Sequence, residues 1–117
     1  MPAPSPLKIA TQAVSRLVTE EKYYQKEIVS QTSRIEKLEA DIKAGIDEDG
    51  NAEYRLKQEK QALEETKAVF GPLKQRIAEA VSRLEEQTAT AEGAGDANAD
   101  ELAKAKEVLA SAPKEDA

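Results

Sequence analysis

The chain has 117 residues, with 17 basic and 23 acidic side chains, a formal charge of −6, and no Cys, His or Trp. That length holds one domain, and the missing thiols and imidazoles exclude disulfides, a thiolate nucleophile and Zn, Cu or haem sites of the usual ligand types. Aromatics at 3% and charged residues at 34%, in a mix rich in Ala, Glu, Lys, Leu and Gln, predict an all-α fold of long helices around an aliphatic core and argue against a sheet.

Residues 1–6 hold three of the five prolines and are expected to be a flexible N-terminus. They lack the charged and apolar regions of a secretory signal, and no apolar run reaches the roughly 18 residues of a membrane span. With no cysteine either, a soluble intracellular protein is expected, with no membrane contact.

No Gly or Pro interrupts residues 7–44, and the first helix is predicted over about 7–45. Counting sevens from Leu7 puts Leu7, Val14, Glu21, Ile28, Ile35 and Ile42 at position a, with Ala10, Leu17, Tyr24, Gln31, Leu38 and Gly45 at position d. Nine of these twelve are apolar, the period of a left-handed helical pair. Residues 45–51, Gly-Ile-Asp-Glu-Asp-Gly-Asn, read as a turn, with Gly45 as helix C-cap and Asn51 as N-cap of the next helix. An EF-hand loop starting at Asp47 would put Ala52 at the position of the required Gly and Gln58 at that of the bidentate Glu, so a polar turn is preferred and no metal is expected.

The second helix is predicted over about 52–90. Leu56, Leu63, Phe70, Ile77 and Leu84 repeat every seven residues, and the short turn makes the two helices antiparallel neighbours. In the register centred on Gly50-Asn51, Leu38 faces Leu63, Ile35 faces Thr66 and Leu17 faces Leu84, while Glu39–Lys60, Glu27–Arg76 and Glu20–Arg83 offer flanking ion pairs. This places Ile28 and Leu63 in a buried seam. Pro72 removes a helical hydrogen bond to the Ala68 carbonyl and should kink the second helix, either wrapping it around its partner or shaping a binding surface.

After Glu92-Gly-Ala-Gly-Asp-Ala-Asn98, a third helix is predicted over about 98–112, opened by Asn98 with Glu101 in a capping-box relation. Its stripe of Leu102, Ala105 or Lys106, and Leu109 can cover the hairpin end holding Val14, Leu17, Ile77, Val81 and Leu84. Residues 113–117 are expected to be a flexible acidic tail. The predicted architecture is an elongated three-helix bundle, two long helices in a left-handed coiled-coil hairpin plus a shorter third.

Charge narrows function. Residues 1–46 carry seven basic and six acidic side chains, 52–88 seven of each, and 89–117 three and seven. Without a basic stripe, neither a nucleic-acid footprint nor a basic membrane helix is expected. The Glu20-Glu21 and Glu64-Glu65 pairs face different directions on helices and define no acid–base site. With no glycine-rich phosphate loop either, the chain reads as a non-enzyme that binds by surface, without cofactor.

Lys8-Ile9-x-Thr11-x-x-Val14-x-Arg16-Leu17-Val18-x-Glu20 followed by Tyr24-x-Lys26-Glu27 resembles the N-terminal signature of the tubulin-specific chaperone A (tubulin-folding cofactor A) family. Ile35-Glu36-Lys37, the acidic turn, Asn51-x-x-Tyr54-x-Leu56-Lys57, the proline in the second helix and the Ala-Lys-rich third helix follow in family order, over residues 7 to about 112. The longer turn and the longer Gly/Ala/Asp linker resemble fungal members. The resemblance implies capture of quasi-native β-tubulin after chaperonin release, on the way to the αβ-tubulin heterodimer. It also implies other tubulin-folding cofactors as partners and a cytoplasmic, cytoskeleton-associated location. Arg16, Glu20, Tyr23 and Glu27, outside the seam and within or beside the matching block, are the candidate partner-binding residues. A monomer or a homodimer fits. The alternative is a generic coiled-coil oligomerisation or scaffold module. A prefoldin-like subunit would need β-hairpin sequence where only the short turn stands.

Overall fold

In the computed structural model, which describes residues 3–95 and 97–113, the chain forms three helices: α1 (Pro6–Lys43), α2 (Ala52–Ala94) and α3 (Ala99–Ser111). No strand occurs among the described residues. The expected mobile ends lie partly outside them, at residues 1–2 and 114–117.

Ser5 and Pro6, expected to belong to the flexible start, instead open α1. Pro6 is its first residue, where the missing N–H costs nothing and the fixed φ suits a helix. Ser5 is the N-cap: its carbonyl accepts from the Ile9 N–H at 3.0 Å, and its Oγ accepts from the Lys8 N–H at 3.0 Å. The same hydroxyl donates to Glu101 Oε1 at 2.7 Å, so Glu101 ties the start of α1 to α3. Glu101 does not complete the expected reciprocal box. Asn98 does its half, its side chain accepting from the Asp100 and Glu101 N–H groups at 2.9 and 3.1 Å. Ser5→Ala removes both a cap and a charge-assisted hydrogen bond and is expected to cost about 1–2 kcal/mol, read as a lower urea midpoint.

α1 ends as Gly45 predicts. With φ at +77°, Gly45 donates to the Ile42 carbonyl and Ile46 donates to that of Asp41, at 3.0 and 2.8 Å, the paired bonds of a Schellman ending. Asn51 occupies the N-cap position of α2 through its backbone, its carbonyl accepting from the Arg55 N–H at 2.9 Å. The side-chain cap comes from elsewhere: Asp47 Oδ1 accepts from the Ala52 N–H at 3.1 Å. Asp49 Oδ1 accepts from the Asn51 N–H and pairs with Arg55, both at 3.1 Å. The turn's carboxylates thus serve the helix start and hold the turn.

α2 runs past its expected end near residue 90, through Gly93 to Ala94. A glycine inside a helix costs about 1 kcal/mol relative to Ala without being a stop. The stop is Gly95, at φ +73°. Pro72 stands inside α2, exposed to solvent.

Two compact units are defined along these helices: residues up to Glu21 with those from Leu73 onward, and Lys22–Pro72. In the first unit, the start of α1, the end of α2 and α3 share one core. Leu7, Ala10, Val14, Leu84, Ala105, Val108 and Ala112 are buried together, with Val18, Val81, Leu102 and Leu109 packed around them. Of the expected stripe on α3, Ala105 is fully buried while Leu102 and Leu109 pack at the edge of the core; Val108 beside it is buried too, as is Ala112 just past the helix end. Two core threonines are satisfied locally, Thr11 and Thr88 donating to the Leu7 and Leu84 carbonyls at 2.8 and 2.7 Å, the back-bonding open to a helical hydroxyl.

The second unit is a two-helix hairpin with no third helix, and its seam is shallower. Ile35, Gln31 and Ala52 are buried, whereas Ile28, Leu38, Leu56, Leu63 and Phe70 are only half-buried. The expectation that Ile28 and Leu63 each lie buried in the seam is corrected on this point: each helix covers one side of the other, and the remaining arc is open. Glu39 meets Lys60 at 3.8 Å, in the expected register, and Arg34 pairs with Glu59 at 3.1 Å. In the first unit Glu20 and Arg83 form no ion pair among the described residues.

Candidate partner-binding surface

Helix α1 positions all four candidate residues. Arg16 is exposed and Glu20 half-buried, one turn apart in the first unit. Tyr23 and Glu27, again one turn apart, lie in the second unit, where Glu27 is half-buried. Tyr23 is 63% exposed, and its ring meets that of Tyr24 edge-on, centroids 5.5 Å apart. Tyr24 is half-buried at its seam position, so it anchors one side of an aromatic ring that otherwise faces water. Exposed or half-buried on one helix, they offer surface contacts, with charge at Arg16, Glu20 and Glu27 and an amphipathic ring at Tyr23.

The structure adds residues that the sequence analysis did not single out. A shallow open depression of about 600 Å³ runs along the outer side of α1, lined by Lys22, Gln25, Lys26, Val29, Ser30, Ser33 and Arg34. No acidic residue lines it. Val29 is 70% exposed. Charge is balanced along the helix as a whole, but around this arc Lys22, Lys26 and Arg34 gather without a lining carboxylate, too few cations for the basic stripe of a nucleic-acid site. The signal was present in the spacing, because Lys22, Lys26, Val29 and Ser33 recur at helical three- and four-residue steps. Summing charge by segment averaged it away.

A second depression, about 650 Å³, lies beside the turn and carries both signs, with Arg34, Lys37 and Arg55 set against Asp41, Asp47 and Glu59. A third, about 320 Å³, includes Ser5, Gln87, Asn98 and Glu101. Among the described residues, no cluster of three or more His, Cys, Asp or Glu is placed to hold a metal, and no helix is long and apolar enough to cross a membrane.

The family model for Tubulin binding cofactor A matches residues 2–109. Tubulin-specific chaperone A of Saccharomyces cerevisiae is 34% identical over 94 residues, covering 80% of this chain and 82% of the yeast protein. No solved structure matches. The family is one of chaperones, not of enzymes, which suits a molecule whose candidate residues offer contacts and no reacting group. A match across nearly the whole chain, on three helices in the order its signature implies, makes this protein a member of the tubulin binding cofactor A family.

Proposed function

We propose that the protein captures quasi-native β-tubulin after its release from the cytosolic chaperonin and holds it for assembly with α-tubulin, in the cytoplasm, as a stoichiometric partner without nucleotide hydrolysis. The observation that carries this reading is the family match over residues 2–109. An exposed, amphipathic α1 supports it. Arg16, Glu20, Tyr23 and Glu27 are the proposed contacts, and Pro72 the proposed shaper of the binding surface.

Titration of purified β-tubulin and α-tubulin, with and without metal and nucleotide, tests the partner. Binding to β alone and independent of additives is expected; preference for α overturns the reading. Arg16→Glu should weaken β-tubulin binding about three- to tenfold, since reversing one exposed contact changes affinity by roughly the worth of one or two surface pairs. Added salt should shrink the difference, because exposed charges are screened beyond about 8–10 Å. Removal of residues 113–117 should leave affinity unchanged or slightly raised, as it deletes mainly acidic chain. Pro72→Ala should leave the fold as stable or more stable, because the Ala68 carbonyl regains its donor. Unchanged β-tubulin binding by that variant would sever the kink from recognition.

A further inference from the structure

We propose that the outer face of α1 from Lys22 to Arg34 is a docking site for an acidic, amphipathic peptide segment of a partner protein. This goes beyond the β-tubulin reading, whose proposed contacts do not line this face.

The argument rests on charge, exposure and what already occupies each side chain. The net charge of −6 is concentrated in the turn at residues 47–49 and in residues 89–117, and the two long helices are near neutral, so an acidic ligand meets least repulsion along the long helices. The depression lined by Lys22, Lys26 and Arg34, with no carboxylate among its lining residues, lies on one of them. Arg34 is held in place on this face, its Nη1 donating to Ser30 Oγ at 2.8 Å and its Nε donating to Glu59 Oε1 at 3.1 Å. Lys22 and Lys26 form no ion pair among the described residues, one helical turn apart, and are the cations free to meet a ligand.

Between them and Arg34 stands Val29, at 70% the most exposed large apolar residue among the described residues. A lone exposed Val is ordinary; one seated in a concavity beside two free lysines offers an apolar contact next to positive charge. Gln25 and the Ser33 hydroxyl add neutral hydrogen-bonding groups along the same face. The span from Lys22 to Arg34 is about 18 Å, the length of some three helical turns of a ligand laid alongside. An acidic segment with an apolar residue on one side matches both the sign and the apolar centre.

Other occupants fit less well. A nucleic acid is gripped by several phosphate contacts, more than two free lysines supply. A membrane-lying helix needs a broad apolar face beside its cations, and this face has one valine.

The test is fluorescence anisotropy of a short labelled peptide of Glu and Asp with Leu at helical spacing, titrated with the full chain. Saturable binding is expected, weakened about tenfold or more by Lys22→Glu with Lys26→Glu, since two favourable pairs become two repulsive ones. Val29→Asp is expected to weaken it comparably. Lys57→Glu with Lys104→Glu makes the same change in net charge elsewhere on exposed helix and should leave affinity within about twofold. Circular dichroism of each variant confirms folding.

An absence of saturable binding, or an equal loss in the Lys57/Lys104 control, overturns the proposal. So does retention of the chain by phosphatidylserine vesicles or single-stranded RNA in preference to the peptide. Sedimentation showing a dimer that Val29→Asp dissolves would assign the face to a second copy of this chain, and would overturn it equally.

Discussion

Leu84→Ala is expected to lower the unfolding free energy by about 3–5 kcal/mol, the upper part of the range for a buried Leu. Leu84 is 0% exposed, in a core to which α1 contributes Leu7, Ala10 and Val14 and α3 contributes Ala105 and Val108. Three helices meet there, so collapse around the missing atoms would have to move all three, and most of the cavity should persist. Ile28→Ala, in the two-helix unit, removes a similar side chain from a half-buried site. It should cost about 1–2 kcal/mol, because part of that surface is already in water. Urea unfolding of both variants compares the two sites directly. Equal losses would mean that the second unit is covered as completely as the first.

Gln31→Leu is expected to raise stability by about 1–3 kcal/mol, the range for removing an unsatisfied buried polar group. Gln31 is 4% exposed, and its Oε1 is buried without a hydrogen-bond partner. Leu is close to Gln in size, keeps the helix propensity and extends the apolar line of Ile28, Ile35 and Leu38. A higher urea midpoint at unchanged m-value would bear this out. A lower midpoint would mean that the amide is satisfied in solution, for instance by a bound water. Loss of β-tubulin binding in a stabilised Gln31→Leu variant would tie the polar seam position to function; retained binding would leave it a matter of stability alone.

The helices were legible because their causes are local. Ala, Glu, Lys and Leu favour the helix wherever they stand, and Gly45 and Gly95 can adopt the positive φ at which helices end. Ser5-Pro6 carried an equally local signal, N-cap followed by Pro at the first helical position, which the density of neighbouring prolines concealed. Gly93 misled in the other direction, because a glycine weakens a helix without stopping it. The candidate surface was only partly readable. The position of Tyr23 on the outward arc follows from spacing, but the positive depression around Val29 emerges only when side chains are sorted around the helix instead of along it.

Composition and period determined that this chain is helical, that a turn at residues 45–51 joins its two long helices and which stripe of those two faces inward, and the block from Lys8 to Glu27 carried the resemblance to the family. Tertiary structure decided how deeply each stripe is buried. Leu84 and Leu63 occupy the same heptad position in one helix, yet the first is enclosed and the second half-open. Periodicity records only the direction a side chain points. What covers it is set by elements distant in sequence, here α3, which joins the core around Leu84, while the hairpin that holds Leu63 has two helices only. Asp47 likewise displaced Asn51 as the side chain serving the start of α2, because a folded turn brings a carboxylate five residues away within 3.1 Å of the Ala52 N–H, a distance that chain order does not encode.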